Sequence, residues 1–543
     1  MAFWKVFCIF LACWAAVLSK LGTQNWRENV FALTSRLHSI RHVISLDSST
    51  EAQDEYLLEM RRSCAGSHKL QQPLQEALGL RVVANASVST MSIPPLDDNL
   101  DSHKVMIRVF QPDKANAQAL KESKTPSHQQ MKDLAKLLPR SEQEMGLRPA
   151  ILFMHGGGFC ICGNGSHDGL LHRLAQLYNT VVVAVEYRKA PEHTWPDAPE
   201  DVQAALRFLS GVGGARLGVS AQAIFVAGDS AGGNLAAVAA LWARDGEVDQ
   251  FGRPVSDSSP LEHPVLGQML LYPFTNYLSA APGSGHEVGS VKEHGTNTPW
   301  VPWDGKFLTA KTMQVFTHAY LRDTVAAFGA QPQLRAHPFH SPLHASTHEN
   351  LPPALIVLAE TDVLRDDGLQ YADKLLKAGV HTQVLDVPGT QHGFLNARIL
   401  FDRETEQVIT AMGEFMRSML WAAFSSKGGA GLVQGSALAP AHKDCSSVCA
   451  LHCAGPATDT TEEERSPAEG GMLSPDERKL RERTRDVPPG VRVDSEGMLL
   501  HDVDLAAGEA WPGDEYYVGD TAEAAQVARE YAKLAQKVDG DLT

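Results

Sequence analysis

The chain has 543 residues, of which 43% are hydrophobic and 21% are charged. This composition is typical of a soluble globular protein that can bury a sizeable core, either in one large domain with extensions or in several domains. The formal net charge is −16. Because nucleic-acid binding needs clustered Lys and Arg side chains against the phosphates, this acidic balance argues against a nucleic-acid partner.

The N-terminus contains an uninterrupted apolar run, residues 6–18, directly after Lys5. In a helix these thirteen residues span roughly 20 Å, less than the ~30 Å hydrocarbon core of a bilayer. The run therefore fits a signal peptide better than a spanning helix, although a membrane anchor stays open if Lys5 reaches the interface. We expect residues 1–22 to direct the chain into the secretory pathway, either secreted or anchored in the endoplasmic reticulum membrane.

The segment that follows, residues 23–80, is predicted to be helical. From residue 26 to residue 40 apolar side chains recur every three or four positions, which is typical of an amphipathic helix that packs on a neighbouring domain. Strand-like runs follow at 81–93 and 104–110. Residues 113–148 are mostly polar, and we expect them to form an insertion at the surface.

From residue 150 to residue 387 predicted strands and helices alternate. The strands are 150–154, 181–185, 223–227, 267–272, 353–359 and 382–387, and the helices are 170–177, 201–209, 235–244, 312–321 and 368–378. Fully apolar strands such as 181–185 are typical of a parallel sheet that is covered on both faces. The alternation predicts an α/β fold with a doubly wound, mostly parallel sheet. The Gly- and Pro-rich stretch 274–343 interrupts this order, and part of a cap over the site would lie there.

A serine stands at a sharp turn between the predicted strand 223–227 and the helix that follows it. The turn reads Gly-Asp-Ser-Ala-Gly, with Ser230 flanked by Gly228 and Gly232. In a G-x-S-x-G turn the serine backbone is strained and lifts the hydroxyl out of the sheet, which requires small neighbours. A tight turn with a structural serine is the alternative, so the rest of the chain decides between the two.

A glycine-rich loop follows the predicted strand 150–154. Residues 155–158 read His-Gly-Gly-Gly, and the backbone N–H groups of Gly156 and Gly157, together with that of Ala231, are the predicted oxyanion hole. A loop that cradles a phosphate is the alternative. That use requires a helix N-terminus directly after the glycines, whereas residues 160–165 continue as a loop.

An acid and a histidine follow two later strands. Asp362 comes after the predicted strand 353–359, and His392 comes after the strand 382–387. Since the carboxyl ends of parallel strands share one edge of a sheet, Ser230, Asp362 and His392 can converge there. Their chemistry is that of a nucleophile, an orienting carboxylate and a general base.

The cysteines are too few for a fold built on disulfides. Cys160 and Cys162 lie just past the glycine-rich loop, either as small pocket-lining side chains or in a redox or disulfide role. Cys445, Cys449 and Cys453 recur every four residues, outside the usual zinc spacings, and are interpreted as disulfide-bonded or free thiols in a tail. We therefore predict neither a metal site nor a cofactor. The disulfide pairing is not readable from the sequence.

Several motifs resemble one known family, in the order that the family has them. They are HGGGF (155–159), EYRKAPE (186–192), GDSAGGN (228–234), LLYP (270–273), HSPL (340–343), LPPALIVLAETDVLRDDG (351–368) and QHGF (391–394). They resemble the hormone-sensitive lipase family of α/β-hydrolases, which includes bacterial esterases, plant carboxylesterases and arylacetamide deacetylases. Glu186 and Lys189 depart from the aspartate and leucine that are usual in the family.

The resemblance implies an α/β-hydrolase fold with a helical cap. Residues 23–80 would belong to the cap, and residues 81–424 would form the catalytic domain. It also implies the roles already assigned to Ser230, Asp362 and His392 and the oxyanion donors Gly156, Gly157 and Ala231. Residues 425–543 lie outside the resemblance and contain 12 Lys and Arg against 22 Asp and Glu, and we expect them to form an acidic, partly disordered extension.

The predicted function is that of a serine carboxylic ester hydrolase that acts on a small-molecule ester. A lipase or an amide deacetylase of the same family is an alternative. A ligand-binding receptor on the same scaffold belongs to another class of protein, and the plant receptors of this type replace the histidine that His392 retains. Acyl specificity and oligomeric state are not predicted.

Overall fold

A computed structural model of the protein describes residues 49–77, 86–95, 103–113, 133–246, 261–277, 308–328 and 336–425. Within these residues one sheet contains eight strands. The strands are β1 (Ala86–Ile93), β2 (Val105–Pro112), β3 (Arg148–Met154), β4 (Val181–Glu186), β5 (Val219–Asp229), β6 (Gly267–Leu271), β7 (Ala354–Thr361) and β8 (Thr382–Gln391).

The sheet has the strand order β1-β2-β4-β3-β5-β6-β7-β8. β2 pairs antiparallel with β1 and with β4, and all other neighbours pair in parallel. The predicted doubly wound, mostly parallel α/β sheet is therefore confirmed. Each predicted strand lies within a few residues of an observed one, although β5 begins four residues earlier than predicted and β8 ends four residues later.

Helices cover both faces of the sheet. They are α1 (Thr50–Ala77), α2 (Arg140–Glu144), α3 (Asp168–Tyr178), α4 (Asp197–Ser210), α5 (Val212–Arg216), α6 (Ala231–Asp245), α7 (Ala310–Phe328), α8 (Arg365–Lys377) and α9 (Arg398–Phe424). One hydrophobic core contains side chains of α4, α6, α7 and α8, and the other contains those of α3 and α9. Side chains of a strand alternate between these cores: in β3, Leu152 faces the first and Phe153 the second.

Helix α9 has no counterpart among the predicted elements, although it closes one face of the sheet. Gly413 stands within it, and an interior glycine weakens a helix by about 1 kcal/mol relative to alanine. A Cβ atom at Gly413 would lie 2.0 Å from Cζ of Tyr178. The glycine is thus required by the close approach of α3, which a sequence pattern does not show.

The polar segment 113–148 is only partly described, and two leucines of its second half are buried. Leu134 and Leu138 are 1% and 3% exposed and belong to the core between the sheet and α9. A short 3-10 helix, Leu134–Leu137, and helix α2 follow one another here. Residues 133–148 therefore lie at the surface only in part, because Leu134 and Leu138 cover the sheet.

Several predictions fall outside the described residues. They concern the apolar leader 1–22, the first amphipathic helix of the segment 23–80 and the acidic extension 426–543. Within the part of the chain that the structure describes, no helix is both long enough and apolar enough to cross a bilayer.

The ends of three strands determine where the site lies. β5, β7 and β8 end at Asp229, Thr361 and Gln391. The residues that directly follow these three strand ends are Ser230, Asp362 and His392, in that order. Because β5, β6, β7 and β8 pair in parallel, these residues lie at the same edge of the sheet.

Candidate active site

Ser230 occupies a strained turn between β5 and α6. Its backbone has φ 56° and ψ −118°, a conformation that is costly for a residue with a side chain. A Cβ atom at Gly228 would lie 2.2 Å from the carbonyl oxygen of Gly232, and one at Gly232 would lie 2.0 Å from that of Met154. The Ser230 N–H donates to the carbonyl oxygen of Leu271 at 2.9 Å. Small neighbours and this hydrogen bond together hold the serine in place.

The structure brings the three residues predicted to act together into one chain of hydrogen bonds. His392 Nε2 lies 2.9 Å from Ser230 Oγ, and His392 Nδ1 lies 2.7 Å from Asp362 Oδ2. The N–H of Leu364 donates to the other oxygen, Asp362 Oδ1, at 2.9 Å. All three side chains are buried, and Asp362 is the most enclosed at 2% exposed. A buried carboxylate that accepts from Nδ1 leaves Nε2 able to accept the serine proton.

The predicted set of oxyanion donors needs one correction. The Gly156 N–H donates to Asp229 Oδ1 at 2.7 Å, so this amide is not available to a substrate, and the prediction is wrong for Gly156. Ala231 is the first residue of α6, where backbone N–H groups have no partner inside the helix. For the N–H groups of Gly157 and Gly158, the described part of the chain offers no acceptor. The amide of Gly158, which was not among the predicted donors, belongs to the same run of three glycines.

The glycine loop, residues 155–158, requires glycine at its centre. Gly157 has φ 121° and Gly158 has φ 59°, in the region that residues with side chains rarely adopt. A Cβ atom at Gly157 would lie 2.3 Å from the carbonyl oxygen of Ile161. One at Gly158 would lie 2.1 Å from the ring of Phe316 in α7. Helix α7 therefore lies directly against this loop.

His155 supports the glycine loop from one side. Its Nδ1 lies 2.7 Å from the carbonyl oxygen of Gly156, and its ring stacks on Tyr187 with centroids 4.3 Å apart. The Tyr187 hydroxyl donates to the carbonyl oxygen of His155 at 2.7 Å. Burial lowers the pKa of His155 to about 4, so its imidazole is neutral near pH 7.

Asp229 connects this loop to the nucleophile. It is 2% exposed, lies next to Ser230 in the chain, and contacts both Gly156 N–H and His167 Nε2, the latter at 2.9 Å. Burial by itself would raise the pKa of this carboxyl. The adjacent imidazole of His167 and the hydrogen bonds from His167 and Gly156 outweigh burial and hold the pKa of Asp229 below its ordinary value. Neither Asp229 nor His167 was singled out from the sequence.

A family profile described as the alpha/beta hydrolase fold matches residues 151–396. Lipase 2 of Moraxella sp. (strain TA144) is 34% identical over 289 residues, which cover 51% of this chain and 61% of that relative. Ethyl acetate hydrolase of Pseudomonas putida is 33% identical over 260 residues, which cover 48% of this chain and 70% of that relative. This chain belongs to the alpha/beta hydrolase family.

Membership confirms the predicted resemblance to hormone-sensitive lipase-like hydrolases and the predicted fold class. The hyperthermophilic esterase from the archaeon Pyrobaculum calidifontis is a solved structure that is 27% identical. The likeness covers 72% of this chain and 97% of that chain, with a TM-score of 0.49. In this hydrolase the match to the family profile ends at residue 396, so α9 lies outside it.

Two departures of this hydrolase from the family pattern compensate each other. Lys189 stands where leucine is usual and Glu186 where aspartate is usual, and the Lys189 ammonium pairs with the Glu186 carboxylate. The pair is three residues apart in the segment that supports His155. A lysine at this largely enclosed position is tolerated because the glutamate supplies its counter-charge.

Helix α1 of the hydrolase is joined at several points to residues that follow the glycine loop in the chain. Cys64 of α1 forms a disulfide with Cys162, their Cα atoms 5.6 Å apart, while Cys160 is a buried free thiol. The Arg61 guanidinium donates to the carbonyl oxygen of Cys160 at 2.7 Å and to the carboxylate of Glu192 at 2.9 Å. Disulfides persist in oxidising compartments such as the secretory pathway. Entry into that pathway stays a prediction from residues 1–22.

Within the described residues, no group of three or more His, Cys, Asp or Glu side chains is arranged to hold a metal ion. The cysteines at 445, 449 and 453 lie outside those residues.

Proposed function

We propose that this protein is a serine carboxylic ester hydrolase that transfers an acyl group to Ser230 and then to water. The observation that carries the proposal is the hydrogen-bonded series Asp362–His392–Ser230 on a strained strand-to-helix turn. A serine hydroxyl is a weak nucleophile by itself, and a hydrogen-bonded imidazole held by a carboxylate activates it.

The first half of the reaction forms an acyl-enzyme. As Ser230 Oγ attacks the ester carbonyl carbon, His392 Nε2 takes the hydroxyl proton. Asp362 holds the imidazole and stabilises the cation that forms. When the tetrahedral intermediate collapses, the C–O bond to the alcohol breaks and His392 returns the proton to the leaving alkoxide.

The second half repeats these steps with water as the nucleophile. His392 takes a proton from water as its oxygen attacks the acyl-Ser230 carbonyl. Collapse of the second intermediate releases the carboxylic acid and returns the proton to Ser230 Oγ. The imidazole of His392 therefore accepts and returns the transferred proton in both halves of the reaction.

The oxyanion is stabilised by backbone amides. We assign this role to the N–H groups of Gly157, Gly158 and Ala231, because that of Gly156 is occupied by Asp229. Preorganised donors of this kind contribute roughly 3–4 kcal/mol each to stabilisation of the transition state.

The coarser part of the assignment, an enzyme that hydrolyses ester bonds, is supported by relatives named ethyl acetate hydrolase and carboxylesterase. A lipase is the second candidate, because another relative is named Lipase 2. The size of the acyl chain distinguishes the two.

A series of p-nitrophenyl esters from acetate to palmitate, with p-nitroacetanilide as the amide, tests the proposal. We expect release of p-nitrophenol with kcat/KM well above that of the amide. A maximum at short acyl chains favours the esterase, and a maximum at palmitate favours the lipase. No turnover of any ester by folded protein contradicts the proposed function.

The variant Gly157→Ala tests the oxyanion loop. A Cβ atom there would lie 2.3 Å from the Ile161 carbonyl oxygen, and φ is 121°, so the loop must move. We expect kcat to fall roughly 10²-fold or more with a small change in KM. The matched control is Gly169→Ala in the first turn of α3, where a Cβ atom meets nothing within 4 Å. Equal activities of the two variants would contradict the assignment.

A further inference from the structure

A second His–Asp pair lies beside the nucleophile, and the reaction described above does not use it. We propose that His167, protonated on both ring nitrogens, neutralises Asp229, so that this carboxylate can hold the glycine loop without opposing the oxyanion. Both are positioning residues, since Asp229 acts through the loop and His167 acts through Asp229. The inference rests on the proposed ester hydrolysis at Ser230.

Asp229 contacts several parts of the site. Its Oδ1 accepts the Gly156 N–H at 2.7 Å, which ties the glycine loop to the end of β5. Its Oδ2 accepts the Tyr272 hydroxyl at 3.4 Å, and the Tyr272 ring packs edge-on against His392 with centroids 5.0 Å apart. Asp229 also directly precedes Ser230. This carboxylate is therefore placed to fix the loop relative to both the nucleophile and the base.

A negative charge on Asp229 opposes formation of the negatively charged tetrahedral intermediate. The tetrahedral intermediate carries a negative oxygen next to Ser230, and Asp229 is the neighbouring residue. Two like charges in a buried, low-dielectric site repel strongly, whereas water would screen them. A carboxylate that organises the loop therefore slows the reaction unless a cation balances it.

The hydrogen bonds of His167 identify that cation. Its Nε2 lies 2.9 Å from Asp229 Oδ1, so the Nε2–H donates to the carboxylate. Its Nδ1 lies 2.7 Å from Ser166 Oγ, whose only hydrogen goes to the carbonyl oxygen of Gly163 at 2.5 Å. Ser166 Oγ must then accept from Nδ1–H, and both ring nitrogens carry hydrogen. The structure places Asn396 Nδ2 3.0 Å from Nε2, and the doubly protonated ring requires this amide in the exchanged orientation, with its oxygen toward Nε2.

The other titratable groups that face Asp229 are uncharged near neutral pH. Burial lowers the pKa of His155 to about 4, so it is a neutral imidazole. Burial raises the pKa values of Tyr187 and Tyr272 well above their ordinary range, so both keep their hydroxyl hydrogens. Among the described residues, His167 is thus the cation that balances Asp229.

Three variants test the pair: His167→Gln, Asp229→Asn and the double variant. In His167→Gln a buried carboxylate loses its cation, and we expect kcat for p-nitrophenyl acetate at pH 8 to fall roughly 10- to 100-fold, with KM nearly unchanged. Asp229→Asn keeps an acceptor oxygen for the Gly156 N–H, so we expect its kcat to fall less than that of His167→Gln. The double variant carries neither charge, so we expect it to be at least about ten-fold more active than His167→Gln.

The pH profile separates an electrostatic role from a merely structural one. Without His167, burial raises the pKa of Asp229. Below that pKa the carboxyl is neutral, and kcat of His167→Gln approaches that of the double variant. Above that pKa the Asp229 carboxyl loses its proton and becomes negative, so kcat of His167→Gln falls as the pH rises. The double variant lacks this fall.

The matched control is His172→Gln. His172 is a histidine of α3 that is 2% exposed, against 3% for His167, and its ring lies 4.8 Å from that of Phe110. Burial lowers the pKa of His172 to about 2, so the control removes a neutral imidazole. We expect a lower melting temperature and an unchanged kcat.

Three outcomes decide the inference. A double variant that is no more active than His167→Gln, or that shares its pH profile, overturns it while wild-type ester hydrolysis still supports the proposed function. A His167→Gln variant that fails to fold while the double variant folds supports it, because the unpaired carboxylate is then the defect. A double variant that fails to fold overturns it. Absence of wild-type turnover would instead mark failure of the proposed function.

Discussion

We expect Ser230→Ala to abolish ester hydrolysis, with a fall in kcat of at least about 10⁴-fold, while the fold remains intact. Alanine keeps the Cβ atom, so the strained backbone at φ 56° and the hydrogen bond to Leu271 need not change. Removal of Oγ takes away the hydrogen bond between Ser230 and His392 Nε2 and leaves the substrate without a nucleophile. The measurement is p-nitrophenyl acetate turnover, with thermal melting as the check on folding.

The control for this variant lies on the same strand. Ser220 of β5 is also buried, and within the described part of the chain its hydroxyl has no hydrogen-bond partner. Ser220→Ala should leave kcat unchanged and alter the free energy of unfolding by about 1 kcal/mol or less. Residual turnover of Ser230→Ala close to that of Ser220→Ala would remove Ser230 from the mechanism.

Asp362→Asn is the second variant with a large expected effect, a fall in kcat of about 10³- to 10⁴-fold. The Leu364 N–H donates to Asp362 Oδ1, so it would attract the oxygen of an asparagine amide to that side. The NH₂ group would then face His392 Nδ1, which must accept. The ring proton moves to Nε2, and that nitrogen can no longer take the proton of Ser230.

Asp373→Asn is the matched control for Asp362→Asn. Asp373 lies on α8, the helix that follows Asp362, and its carboxylate pairs with the exposed Lys377 at 2.7 Å. Loss of an exposed ion pair four residues apart in a helix costs only about 0.3–0.5 kcal/mol. We expect wild-type kcat from this variant. If Asp362→Asn retained a comparable kcat, the orienting role of Asp362 would be wrong.

The convergence of the three side chains in the proposed triad was predictable because their positions follow from chain order. Ser230, Asp362 and His392 each come directly after a strand, and parallel strands present those ends at one edge. The glycines around Ser230 and in the loop at 155–158 indicate where backbone must approach backbone. These are local properties, and a single sequence contains them.

What the sequence did not predict depends on contacts between distant segments. The Gly156 amide is taken by a carboxylate 73 residues away, so the backbone pattern alone suggests a free donor. The disulfide joins Cys64 to Cys162 across 98 residues, and no spacing rule selects this pairing. The glycine in α9 packs on Tyr178, and His167 reaches Asp229 from the segment before α3. Each becomes visible only once the sheet is assembled.

The mass of the intact protein after reaction with a p-nitrophenyl phosphonate ester tests the central claim most directly. Such a reagent is attacked by an activated serine and leaves a stable adduct that resembles the tetrahedral intermediate. The account predicts one adduct per wild-type chain, located on the peptide that contains Ser230, and none on Ser230→Ala. An adduct on another residue, or equal labelling of Ser230→Ala, would contradict it.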